Sequence, residues 1–136
     1  MYRNIIVPID VDKADKSKSI LSKVKELADK NAKVTVVNVV EDVPGLIMEA
    51  LPDGLIERAT HDAKASLVDM VKSAGLEADV QIRGGRPHHA VVSLADEINA
   101  DLILIASHEP GLKDYFLGST ASGVVSHAKC SVLVDR

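Results

Sequence analysis

The chain has 136 residues, 46% of them apolar, and a formal net charge of −4. That length suits one domain, residues 1–136, with a hydrophobic core that needs neither metal nor disulfide. No dense Lys/Arg stretch marks a nucleic-acid partner, and no apolar run reaches the ~18 residues of a membrane span.

The aromatics are Tyr2, Tyr115 and Phe116, so the core must be built from Val, Ile, Leu and Ala. Recognition of a base or sugar by aromatic stacking is therefore not expected. Cys130 is the single cysteine, which excludes an internal disulfide and fits a reducing, cytoplasmic setting. It reads as an inert, packed thiol. No signal peptide is read before the apolar run Ile5-Ile6-Val7.

Arg3 to Pro8 reads as a short buried strand. The polar stretch Asp10 to Asp15 leads into a helix with apolar positions Ile20, Leu21, Val24, Leu27 and Ala28. Asp15 or Ser17 is the expected cap. Lys33 to Val40, rich in β-branched residues, is a second strand. Glu41 to Gly54, with Pro44, Gly45, Pro52 and Gly54, reads as an irregular connection. The next helix carries Leu55, Ile56, Ala59, Ala63, Leu67, Met70 and Val71, and Gly75 is placed to end it.

Val80 and Ile82 alternate with polar residues, as in a half-exposed edge strand. Gly84 and Gly85 turn the chain, and Pro87 suits the first turn of a helix striped by Ala90, Val91, Leu94, Ala95 and Ile98. Asp101 to Ser107 is apolar on both faces and reads as a central strand. Leu117 to Ala128 is the last helix and Ser131 to Asp135 the last strand.

Strict β/α alternation argues for an open five-stranded parallel sheet with helices on both faces, a Rossmann-like α/β fold. Right-handed crossovers leave the flavodoxin-like order and the related 3-2-1-4-5 order as the simplest topologies. Either reverses beside the first strand, and ligands bind at that reversal beyond the carboxyl ends of the strands. The loops expected there follow the first strand (Pro8, Ile9, Asp10), the second (Val39 to Asp42) and the fourth (Ser107 to Gly118).

The fourth-strand loop is the most informative stretch. Ala106-Ser107-His108-Glu109-Pro110-Gly111 follows a pure apolar run, and Gly118-Ser119-Thr120 opens a helix. A helix N-terminus offers unpaired N–H donors and about half a positive charge, and phosphate is its usual guest.

The chain resembles the universal stress proteins over its full length. The resemblance rests on Tyr2 through Asp10 (YRNIIVPID), on Gly85-Arg86-Pro87, and on Asp101 through His108 (DLILIASH). Leu117-Gly118-Ser119 and Val125 through Val134 (VSHAKCSVLV) complete it. It implies the 3-2-1-4-5 order, an adenine nucleotide alpha hydrolase-like fold, a cytosolic homodimer formed through the last strand, and binding of ATP or AMP. The family's motif is Gly, two residues, Gly, nine residues, then Gly with Ser or Thr. Here Ala106 stands at the first glycine and Glu109 at the second, and the loop is one residue shorter.

The resemblance makes Pro8, Ile9, Asp10, Val39, Ala106, Ser107, His108, Gly111, Gly118, Ser119 and Thr120 the nucleotide-binding set. Asp10 would meet the adenine end, its carboxylate accepting from an exocyclic amine, or it would only cap a turn. Val39 would line the adenine pocket or be a plain core valine. Gly118, Ser119 and Thr120 would hold phosphate, or Ser would serve as an ordinary N-cap. Ser122 could add a hydroxyl one turn further in.

His108 would touch phosphate or act only as a hydrogen-bond partner. His88 and His89 diverge on their helix by ~100° and do not share a metal. His127 suits a helix C-terminus, and His61 a helix surface.

No nucleophile–base pair, Cys/His cluster or Lys-bearing Walker loop is present. Mg²⁺ would be held mainly by the phosphates, and dedicated phosphoryl transfer is not expected, although slow ATP hydrolysis or autophosphorylation fits the family. The edge strand Ser131 to Asp135 invites antiparallel pairing with a second copy. The expected role is ATP-dependent regulation through a protein partner of unknown identity. The alternative is a dimeric interaction protein with a degenerate site that binds no nucleotide.

Overall fold

The computed structural model describes residues 1–41, 49–107 and 118–136. Its strands are β1 (Tyr2–Pro8), β2 (Ala28–Val40), β3 (Asp79–Gly84), β4 (Leu102–Ala106) and β5 (Ser131–Asp135). Between them run α1 (Ala14–Leu27), α2 (Leu55–Ser73), α3 (Pro87–Ile98) and α4 (Ser119–His127). All the strand pairs are parallel, in the order β3-β2-β1-β4-β5.

Alternation along the central strands feeds two cores, one on each face of the sheet. Ile5, Val7, Val34, Val36, Leu102 and Leu104 pack with Ile20, Leu21 and Val24 of α1 and Leu67 and Val71 of α2. Ile6, Val37, Ile103 and Ile105 face the other way, onto Val91, Leu94 and Ala95 of α3 and Ala121 and Val124 of α4. Each fully buried Ile or Leu contributes roughly 1.5–3 kcal/mol relative to exposure, so the helices are held by their apolar stripes.

The C-terminus of α2 ends in a Schellman motif. Gly75 sits at φ 66°. Its N–H bonds the Lys72 carbonyl at 2.9 Å, and the Leu76 N–H bonds the Val71 carbonyl at 3.2 Å. Glycine adopts this left-handed conformation without a Cβ penalty.

Several boundaries differ from the sequence reading. β2 begins at Ala28 and not at Lys33, with a register shift between Tyr2 and Asn4 that absorbs extra residues of the stretch Asp29-Lys30-Asn31-Ala32. Neither Asp15 nor Ser17 caps α1. Lys13 holds the cap position without a side-chain bond. Ser17 lies inside the helix, and its hydroxyl donates back to the Lys13 carbonyl at 2.9 Å. The hydroxyl is satisfied within the chain, so it has no need of the terminal position.

The last helix starts at Ser119, and Leu117 falls outside the described residues. In the stretch read as irregular, residues 42–48 are outside the description, whereas Glu49 and Ala50 are helical.

Candidate functional site

The strand order places the reversal between β1 and β4, because β1 leads to β2 on one side and β4 leads to β5 on the other. A cavity of about 690 Å³ opens at the carboxyl ends of these strands, within the size range of small-molecule sites. Pro8, Ile9, Asp10, Val39, Ala106, Ser107, Gly118, Ser119 and Thr120 all line it. His108 and Gly111 lie outside the described residues, as does Glu109.

The loop after β1 is pinned to β2 from both sides of one residue. The Ile9 amide donates to the Val37 carbonyl at 2.8 Å. The Ile9 carbonyl accepts from the buried Asn38 Nδ2 at 2.9 Å. Asp10 Oδ1 accepts the Asp12 amide at 3.0 Å, forming an Asx turn. Its carbonyl accepts the Lys13 amide at 3.1 Å. The turn-capping role of Asp10 is thus present in the structure, and Asp10 lines the cavity as well. Val39 is half-buried, packs against the α3/α4 core and lines the cavity, so its two readings coexist.

Opposite this loop stands the first turn of α4. Its cap is Gly118, not a serine, at φ 85° and ψ 158° with no side-chain cap bond. That backbone region is essentially reserved for glycine. Ser119 is the first residue of the helix proper. The first N–H groups of a helix have no intrahelical acceptor, and here this turn borders the cavity through Gly118, Ser119, Thr120 and Ala121. Ser122 is exposed and is not a lining residue.

Both backbone polar groups of Ser107 are hydrogen-bonded. Its amide donates to the Asp135 carbonyl of β5 at 2.7 Å, and its carbonyl accepts Lys16 Nζ at 2.9 Å. Lys16 and Lys13, both lining residues, escaped the sequence reading. A lysine early in a helix reads as a solvated residue, and only the docking of α1 beside β4 brings its ammonium to Ser107.

The remaining histidines lie elsewhere. His88 stacks on His127 with ring centroids 5.7 Å apart, and His127 Nδ1 is 2.9 Å from the Gly123 carbonyl, in the last turn of α4. His61 is exposed. Among the described residues, no group of three or more His, Cys, Asp or Glu is placed to hold a metal. No described helix is long and apolar enough to cross a membrane.

Comparison with known proteins agrees with this architecture. The profile of the universal stress protein family matches residues 1–136. Universal stress protein G of Escherichia coli O157:H7 is 29% identical over 142 residues, with all of both chains covered. Among solved structures, the hypothetical protein MJ0577 superposes with a TM-score of 0.80 at 26% identity, over 99% of this chain and 96% of that one. A universal stress protein in complex with cAMP superposes with a TM-score of 0.72 at 23% identity, over 99% and 97% of the two chains. The chain belongs to the universal stress protein family.

Proposed function

We propose that this protein is an ATP-binding regulatory protein of the stress response. The observation that carries the reading is the meeting of the Asp10 turn, Ser107 and the glycine-capped first turn of α4 around one cavity at the strand reversal. A cavity walled by Ile9, Val39 and Val91 suits an adenine ring, and a glycine-capped helix start suits phosphate. The cAMP complex of a structural relative supports an adenine nucleotide as the guest.

Ala106 adds only a methyl group to this lining, and Asp10 offers an acceptor to an exocyclic amine. AMP shares these contacts with ATP, and Mg²⁺ would be held mainly by the phosphates. We read the function as binding and not as dedicated catalysis.

The protein acts in the cytoplasm as a homodimer paired through β5, and it signals to a protein partner. β5 ends the strand order, and its Leu133 is 37% exposed. Such an edge offers backbone groups and apolar area to a second copy. The competing reading, a dimer with a degenerate site, rests on Ala106 and Glu109 in place of glycines.

Absorbance separates the two. The chain has no Trp and only two Tyr, so bound nucleotide stands out near 260 nm. Protein purified without added ligand is expected to release an adenine nucleotide on denaturation, identified by chromatography. A nucleotide-free preparation that also takes up none when incubated with ATP would favour the degenerate site.

A further inference from the structure

The apolar stripe of α2 is buried along only part of its length. Its buried residues are Leu67 and Val71, on a helix that begins at Leu55. No residue from Leu55 to Ser66 is buried, and Leu55 itself is 40% exposed. The other helices bury a side chain close to where they begin, at Ser17 in α1, Val91 in α3 and Ala121 in α4. The two ends of α2 are also fastened unequally. Its C-terminus has the Schellman bonds at Gly75 beside the two buried anchors. Its N-terminus starts from Gly54, at φ 78°, with no side-chain cap bond. A helix in a protein is held mainly by the packing of its apolar face, and a segment with few buried apolar contacts opens at low cost.

The face that buries Leu67 carries Ala63 and Ala59 one and two turns earlier, and both line the cavity. α2 packs on β2 and β3, so these alanines stand on the side of the cavity where β2 supplies Val39, Val40 and Glu41. We propose that the nucleotide orders the first half of α2. The inference rests on the nucleotide reading of the cavity. With phosphate at the start of α4, the base extends toward Val39 and meets the methyl groups of Ala59 and Ala63. That contact exists only while Leu55 to Ser66 is helical, so binding favours the helical form over an opened one. The ligand thus supplies the packing that the core gives the other helices. Without it this half opens more often than Leu67 to Ser73, and occupancy is read out on a surface that includes the exposed Glu57, Arg58, His61 and Asp62.

The test is hydrogen–deuterium exchange of nucleotide-stripped full-length protein, with and without saturating ATP and Mg²⁺. In the free protein, the amides of residues 59–66 should exchange faster than those of 67–73. ATP should slow the first group by roughly tenfold or more, and the second group less. A second arm titrates ATP into Ala65→Gly. Ala65 is exposed and does not line the cavity, so glycine weakens the helix without touching the guest. ATP is expected to bind about 2- to 5-fold more weakly, because ordering the helix then costs more. Unchanged exchange at 59–66, or equal slowing in the two groups, would overturn the proposal with the nucleotide reading intact. Ala65→Gly that binds ATP as tightly as wild type would overturn it in the same way. Wild type that binds no ATP would defeat both readings together.

Discussion

The amide of Ser107 donates to the carbonyl of Asp135 at 2.7 Å, tying the floor of the candidate site to the end of the edge strand. The Asp135 carboxylate, 13% exposed, also pairs with Lys23 of α1. One residue thus joins β5, the loop after β4 and a helix on one face of the sheet. Asp135→Asn should lower the unfolding free energy by about 1 kcal/mol, because Lys23 is 45% exposed and water screens much of the pair. Urea unfolding of the two proteins checks this. A loss that persists undiminished in a Lys23→Met background would assign it to something other than the pair.

Gly123 is where α4 meets α3. A Cβ there would lie 2.4 Å from His88 Cγ, far inside contact distance. Gly123→Ala should therefore destabilise the fold by roughly 1–3 kcal/mol, despite alanine's better helix propensity. Shortening the obstacle should reverse the effect. In the His88→Gly background, which removes the Cβ that would lie 2.7 Å away as well as the ring, Gly123→Ala should cost little or become favourable, and a thermal-melt double-mutant cycle measures that coupling. Additive losses would contradict the packing account.

Leu104 is fully buried in the core formed with α1 and α2. Leu104→Ala should cost about 2–5 kcal/mol, by lost transfer energy plus the cavity left behind. Leu133 on the outer strand is 37% exposed. Leu133→Ala should cost the monomer well under half as much, and it should weaken self-association if β5 forms the dimer. Denaturation midpoints and sedimentation velocity separate these effects.

Cys130 should be a sluggish thiol. Burial pushes its pKa up from the ordinary 9.0, a backbone hydrogen bond opposes the shift, and the charges of Asp101 and Asp96 add to it. At neutral pH little thiolate is available, so disulfide-exchange reagents should react more slowly with the folded than with the unfolded chain. The folded state favours the protonated thiol. Its contribution to stability is thus whole below pH 9.0 and is lost as pH rises through the elevated folded-state value. Faster labelling of the native protein at pH 7 would contradict this.

The succession of strands and helices was legible because buried strands and amphipathic helices have different periods, whereas the residues alone left two sheet orders open and the family resemblance singled out the observed one. Leu102 to Ile105 could be nothing but a strand buried on both faces, and Val91, Leu94 and Ala95 nothing but one side of a helix. The end residues were less so. Asp29, Lys30 and Asn31 look like a turn, yet they extend β2, with Asp29 lying 3.8 Å from Arg3 of β1. Asp15 and Ser17 look like caps, but an Asx turn at Asp10 had already set the entry to α1.

In the site, Asp10, Ser107 and Gly118 were readable because each sits in a loop or helix start at the reversal of the sheet. Lys16 was not, because its role depends on where α1 docks. Nothing in the spacing of the sequence connects it with Ser107, 91 residues away.

The most direct test is titration of nucleotide-stripped protein with ATP and Mg²⁺, beside the same titration of Gly118→Asp. The variant places a carboxylate at the proposed phosphate position, on a backbone with φ 85° that favours glycine. The account predicts saturable, stoichiometric binding by the wild type and none by the variant, with circular dichroism showing both folded. Binding of equal strength by the two proteins would remove phosphate from the start of α4 and contradict the site.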